Sequence, residues 1–326
     1  MKKVTAFLLI VVFIGSALFS CSVSDLQYYT AKERTPDSAN LDLLYFSLPV
    51  AICHDEDDLF ILDSQDNEIR VFSKSGAFRY AIGKKGQGPG EFDMPSSMDI
   101  SGERIYISDG GNGRIQILDK KGVYHGGFKV LFWPHEILVL SKENIVVSHL
   151  PLKKSFKEKM VHCFNEKGKL LWEAFDSYLS EDAVYDTIRN LIFLKKSTGG
   201  QFFLMRRNND RLIYHMSRSG DVIGQIELSK NYPLKKISIP TKRKKELTVF
   251  CWTLDLAGDE FFMLIPEYTE DGDLGSGKQI AIVTMEGKIR GYIDLPERLN
   301  KFVVDADSIY GIDPDYRLRI FTIVKK

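Results

Sequence analysis

The chain has 326 residues, 44% of them apolar and 12% aromatic, which suits one large packed domain or two small ones and excludes a disordered chain. Lysine plus arginine balance aspartate plus glutamate at 44 each, so no net field draws the molecule to nucleic acid. The four cysteines, Cys21, Cys53, Cys163 and Cys251, lie far apart and form no C-x-x-C, so a disulfide framework is not expected and the last three are expected as buried free thiols.

The chain opens with Met1-Lys2-Lys3 and an apolar run from Val4 to Phe19, the layout of an export signal and short for a membrane span. Leu18-Phe19-Ser20-Cys21 resembles a bacterial lipobox. That resemblance implies a lipoprotein signal peptide over 1–20, a diacylglycerol on Cys21 and a tether over 21–40. The protein is then expected to be exported and lipid-anchored in the bacterial cell envelope, at the outer membrane. A plain signal peptide or a membrane anchor is the alternative.

From residue 41 onward, short runs rich in β-branched and aromatic residues alternate with polar turns, and no long helical periodicity is present. Leu59-Phe60-Ile61-Leu62 and Ile69-Arg70-Val71-Phe72 are followed by the turn Ser73-Lys74-Ser75-Gly76. The same order recurs with the turn glycines Gly122, Gly168, Gly220 and Gly287, spaced 46, 46, 52 and 67 residues apart. A final pair of runs, Ile309–Ile312 and Leu318–Ile323, ends the chain without a fourth strand. Four short strands every ~40–50 residues are the sequence signature of a propeller blade. The expected fold is all-β, a six-bladed β-propeller of four-stranded antiparallel blades over 41–326, with Leu41–Ser47 as the N-terminal strand that closes the ring.

Between the first two copies lies Gly83-Lys84-Lys85-Gly86-Gln87-Gly88-Pro89-Gly90-Glu91-Phe92, which looks like a phosphate cradle. Its spacing matches neither G-x-x-x-x-G-K-[ST] nor G-x-G-x-x-G, Pro89 removes an amide donor, and no helix follows. The stretch Leu62–Phe92 that ends in this loop, and Ile107–Phe128, resemble NHL-type repeats, and the whole chain resembles the six-bladed NHL-like propeller lipoproteins of bacterial envelopes. The resemblance makes the glycine loop a link between blades, with Phe92 packed between them. It is specific in the first two blades and rests on pattern in the third to fifth.

In such a ring the long segments 83–97, 149–159, 176–190, 229–249 and 266–279 all fall on one face, where a rigid scaffold would present them to a ligand. The face mixes basic clusters (Lys153-Lys154, Lys235-Lys236, Lys242-Arg243-Lys244-Lys245) with acidic ones (Glu267, Glu270, Asp271, Asp273). Trp133, His135, Glu136, Arg189 and Trp252 lie at or near the starts of inner strands and are expected to converge on the channel mouth, where aromatic walls and a few polar groups suit a sugar or peptide. No G-x-S-x-G or H-E-x-x-H motif occurs, and no catalytic or metal-ligating set is assigned. The expected function is therefore a membrane-anchored recognition module for a peptide, glycan or envelope protein, without a cofactor. The alternative is a hydrolase or lyase holding Ca²⁺ or Zn²⁺ in the channel through residues such as Asp99, Glu136, Asn190 and Asp305.

Overall fold

The computed structural model describes residues 26–326 apart from 39, 151–157, 181, 209, 240–244 and 270–273. The signal, Cys21 and parts of the charged loops (Lys153-Lys154, Lys242–Lys244, Glu270, Asp271, Asp273) lie outside the described residues. Strand β1 (Gln27–Arg34) comes first. Blade 1 is β2 (Pro49–His54), β3 (Asp58–Asp63), β4 (Glu68–Ser73) and β5 (Phe78–Ile82). Blade 2 is β6 (Pro95–Ser101), β7 (Arg104–Asp109), β8 (Arg114–Asp119) and β9 (Tyr124–Lys129). Blade 3 is β10 (Trp133–Ser141), β11 (Asn144–Leu150), β12 (Lys159–Phe164) and β13 (Leu170–Asp176). Helix α1 (Ala183–Arg189) leads into blade 4, which is β14 (Ile192–Lys196), β15 (Phe202–Arg206), β16 (Leu212–Met216) and β17 (Val222–Glu227). A hairpin, β18 (Lys235–Ile239) with β19 (Lys245–Val249), precedes blade 5, which is β20 (Leu254–Ala257), β21 (Glu260–Tyr268), β22 (Leu274–Thr284) and β23 (Ile289–Leu299). Blade 6 is β24 (Lys301–Asp305), β25 (Ser308–Ile312) and β26 (Leu318–Lys325), completed by β1.

Each blade is covered on both faces by its neighbours, so its middle strands are continuously apolar rather than alternating. Leu59, Phe60, Ile61 and Leu62 of β3 are all fully buried. Leu59 and Ile61 join Val303 and Tyr310 of blade 6, while Phe60 and Leu62 join Met98, Ile105 and Ile107 of blade 2. One such apolar cluster fills each of the six joints between blades.

The closing strand differs from the expected one. Leu41–Leu44 is a 3-10 turn whose N-cap, Asn40, accepts the Asp42 N–H, and Leu44 and Phe46 plug the joint between blades 6 and 1. Closure is made by β1, inside the segment expected to be tether, so the propeller starts at Gln27. β1 pairs antiparallel with β26 from Tyr29↔Lys325 to Arg34↔Ile320, and parallel with β23 from Gln27↔Gly291 to Thr30↔Asp294. Blades 5 and 6 therefore form one eight-stranded sheet. Gly291 permits the approach, since a Cβ there would sit 2.1 Å from the Gln27 carbonyl oxygen.

The five repeated turns behave as their glycines require. Each glycine has φ between 75° and 90°, in the left-handed region, and donates its N–H back to the residue three before it. Gly122, Gly168 and Gly220 also press on Ile82, Phe128 and Trp172 of the preceding blade, so the turns dock one blade on the next. The GKKGQGPGEF loop is the expected link. Phe92 is fully buried between blades 1 and 2. The loop turns carbonyls inward to Arg114, whose guanidinium donates to the carbonyls of Gln87, Gly88 and Glu91 at 2.7–2.9 Å. Arg114 is held by the buried Asp109 at 2.8 Å, which also accepts from Asn112, Gln116 and the Asp93 N–H. Asp63 and Asp313 do similar work at the ends of β3 and β25, accepting turn and link N–H groups.

On the inner strands a carboxylate ties blade to blade twice. Asp99 of blade 2 accepts the Val139 N–H of blade 3 at 2.6 Å and the Ile100 N–H at 2.8 Å. Asp255 of blade 5 accepts the Val304 N–H of blade 6 at 2.7 Å. Cys53 makes the weaker counterpart, its thiol donating to the Met98 carbonyl at 3.3 Å. Cys53, Cys163 and Cys251 are free thiols.

Two outcomes follow from these ties. A chain beginning at Leu26 is expected to melt as one unit. A chain beginning at Leu41 loses β1, exposes the edges of β23 and β26, and is expected to melt on the order of 10 °C lower and to aggregate, as thermal unfolding with light scattering would show. At Asp99, burial raises the carboxyl pKa above 3.8 against the pull of the Val139 and Ile100 amides. A raised native value means that the charged form costs stability, a cost absent in acid and incurred as pH rises through that value. Asp99→Ala, which leaves the Val139 N–H unpaired, is expected to cost about 1–3 kcal/mol. Asp99→Asn keeps an acceptor and is expected to gain on wild type as pH rises from 4 to 7, in chemical unfolding across that range.

Candidate functional site

Ring closure brings the six inner strands, β2, β6, β10, β14, β20 and β24, around a cavity of about 420 Å³. Side chains alternate along each inner strand, so every second residue faces the channel. Three inner strands begin irregularly, with bulges between Pro49 and Ala51, Pro95 and Ser97, and Pro134 and Ile137. A bulge re-aims the side chains beside it. At blade 3 the bulge spans His135 and Glu136, and Glu136 lines the cavity.

The charges form two layers. Midway down, Lys195 of β14 pairs with Asp255 at 3.1 Å, and Asp99 faces the same space. Burial works against the Lys195 ammonium, but Asp255 and Glu136 hold its pKa above the ordinary value. Its side chain keeps 27% exposure, which at this depth is contact with the cavity rather than with the outer surface. Nearer the starts of the inner strands, Glu136 of β10 and Lys301 of β24 line the cavity, with His135 and, just past the end of β15, Arg207 within Coulomb reach. Arg207 lies over the Trp252 ring at 3.9 Å, and burial lowers its pKa to about 10. Burial also lowers the Lys301 pKa, with Glu136 opposing and Arg207 and Lys195 reinforcing. His135 is held neutral by burial and by the charges of Lys301 and Arg207, against the pull of Glu136. Among the described residues, no three of His, Cys, Asp and Glu are grouped so as to hold a metal ion.

Over blade 4 the links build a cap. Asp182 caps α1 by accepting the Tyr185 N–H at 3.0 Å. Tyr185 and Ile188 of the helix pack on Leu247 and Ile237 of the β18–β19 hairpin. Asn208 clamps the two, bridging Val249 and donating to the Ile188 carbonyl at 2.6 Å. Around the rest of this face stands a rim of exposed apolar side chains from successive links and loops: Tyr45, Met94, Leu131, Val184, Tyr268 and Tyr316. Leu131 is 104% exposed and Met94 54%. Met94 and Tyr316 hold left-handed backbone, φ 46° and 61°, a conformation costly for such residues.

The five residues expected at the mouth separate. Glu136 lines the cavity, His135 is buried beside it within Coulomb reach of Lys301 and Arg207, and Trp252 lies under the Arg207 guanidinium, packed against the joint of blades 5 and 6. Trp133 turns away to lie against Gly110, lining a separate pocket of about 470 Å³ with Phe132 and His149. Arg189 sits in helix α1, not at a strand start, with its guanidinium over Tyr178 at 4.0 Å and its Nε buried without a hydrogen-bond partner. Asn190, named as an oxygen ligand, is spent on Tyr178 and Arg206. Lys195, Arg207 and Lys301 were missed. Their signal was a charge bordering an apolar run, as in Phe193-Leu194-Lys195 and Lys301-Phe302-Val303.

Solved structures share this architecture at low identity. A putative exported protein from Bacteroides fragilis matches with TM-score 0.61 at 14% identity, over 94% of this chain and 96% of its own. A member of the duf4221 family from Bacteroides vulgatus matches with TM-score 0.60 at 9% identity, over 91% and 96%. Virginiamycin B lyase from Staphylococcus aureus matches with TM-score 0.54 at 13% identity, over 91% and 99%. Among curated proteins, the human NHL repeat-containing protein 3 is 31% identical over 86 residues, a quarter of each chain. The model of the family DUF5128, described as a 6-bladed beta-propeller, matches residues 43–235, more than half of the chain. The chain therefore belongs to the DUF5128 family of six-bladed β-propellers.

Proposed function

We propose that the protein is a recognition module of the bacterial envelope, anchored through a lipidated Cys21, that binds a peptide or a segment of a partner protein on its long-loop face around the channel mouth. The observation that carries this is the apolar rim. Exposed large side chains stand around much of the ring on the long-loop face, over the cavity that Glu136 lines. Apolar anchors over a polar pocket are the usual anatomy of a peptide or protein interface, and a glycan would draw on Trp252 and the polar groups more than on the rim. The two rim residues held in left-handed backbone fit the same reading, since strain of this kind collects at binding surfaces.

The test compares two faces of the ring. A peptide library is screened for binders to wild type, and the selected peptide is titrated into two double variants. Met94→Ser with Leu131→Ser removes two rim anchors. Val123→Ser with Ile223→Ser alters half-exposed residues on the outer perimeter. Neither pair is expected to change stability by more than about 0.5 kcal/mol per site. Affinity is expected to fall about tenfold for the rim pair, roughly 1.4 kcal/mol, and to hold for the perimeter pair. Loss only in the perimeter pair would place recognition elsewhere.

A further inference from the structure

We infer that the channel mouth is a site for a carboxylate group carried on an apolar body, with Lys301 and Arg207 as the groups that receive it. The inference rests on the recognition reading of the same face and names the chemistry of the group bound there.

Asp255 is engaged by Lys195 and the Val304 N–H, and Asp99 by the Val139 and Ile100 N–H groups. At the mouth the balance differs. Lys301 makes no side-chain hydrogen bond or ion pair with a described residue, and Arg207 makes only its stacking contact with Trp252. The Glu136 carboxylate likewise has no hydrogen-bonded or ion-paired partner among the described residues, its backbone N–H being taken by the Ser148 hydroxyl. Lys301 thus has Glu136 as its carboxylate within Coulomb reach and a second cation, Arg207, beside it, next to a histidine that burial holds neutral. A buried cation without a partner is costly, and a structure keeps one where something else supplies the counter-charge.

The excess is one positive charge, so a monoanion fits better than a phosphate dianion, which Glu136 would also repel. Arg207 presents a planar fork suited to a carboxylate, and stacking on Trp252 fixes the plane of that fork before anything binds. Beyond the cations the cavity wall includes the apolar Val50, Phe193 and Leu256, and its roughly 420 Å³ is of ligand-pocket size. The carboxylate could come from a small free acid or from the C-terminus of a peptide, and the two are separable.

The probes are hexanoate, its neutral isostere hexanamide, and one pentapeptide with an apolar last residue, made as free acid and as C-terminal amide. Each is titrated calorimetrically into wild type, Lys301→Met and Glu136→Gln, with melting curves to confirm folding. Hexanoate is expected to bind and hexanamide to bind at least tenfold more weakly. Lys301→Met is expected to weaken hexanoate at least tenfold, and Glu136→Gln to strengthen it several-fold. Should Lys301→Met fail to fold, the Glu136→Gln arm and the acid–amide contrast still decide. Equal binding of hexanoate and hexanamide, no binding of either, or weaker hexanoate binding in Glu136→Gln overturns the inference. If the peptide acid and amide bind equally well while hexanoate fails, the recognition reading stands and the carboxylate site falls. If hexanoate binds and neither peptide does, the site takes a small acid and the peptide reading falls.

Discussion

The structure depends on one pairing between the ends of the chain. A ring of blades has no free edges only when its last sheet is completed, and here the completing strand is β1, inserted between β26 and β23. The parallel ladder to β23 goes beyond what closure needs. It welds blades 5 and 6 into a single sheet, whereas blades 1 to 4 meet only through side chains and turns. The channel follows from closure, because Lys301 of blade 6 faces Glu136 of blade 3 only in a complete ring.

Within that frame the blades are held by two kinds of contact acting at different radii. Apolar clusters fill the joints at mid-radius. Buried carboxylates fix register where clusters alone would allow sliding: Asp63, Asp109 and Asp313 at the strand ends, Asp99 and Asp255 at the channel wall. Hydrophobic contact is non-directional, whereas a carboxylate accepting two N–H groups has a set geometry. The glycine loop belongs to the second kind. A loop that presents carbonyls to Arg114 is the electrostatic inverse of a phosphate cradle, which explains how so glycine-rich a stretch serves architecture.

Much of this architecture was legible in the sequence because it recurs. Five turns with one glycine each fix the blade period, and the buried runs such as Leu59–Leu62 fix the strands between them. What failed to show was whatever occurs once. Gln27–Arg34 is a polar, unremarkable stretch whose strand character comes from two partners nearly the whole chain away, while Leu41–Ser47 has the apolar content of a strand but spends it as a plug. Helix α1 is only seven residues long, too short to display a period. The site was half legible. Aligning strand starts pointed to Glu136, which lines the cavity, but could not foresee that the bulge in β10 would part Trp133 from its neighbours. Lys195 and Lys301 needed the direction in which each side chain points, which an inner strand of four or five residues barely states.

The place of β1 bears on how the chain comes to be folded. β1 is the first of the described strands along the sequence and its partner β26 the last, with Tyr29 opposite Lys325. Blades 1 to 4 can form in order as the chain emerges, yet the ring stays open until blades 5 and 6 are in place. Such long-range pairing is slow, because the loop it closes is nearly the whole molecule. Until β23 and β26 are both formed, β1 lacks the two partners that give it strand character, so ring closure waits on the last two blades.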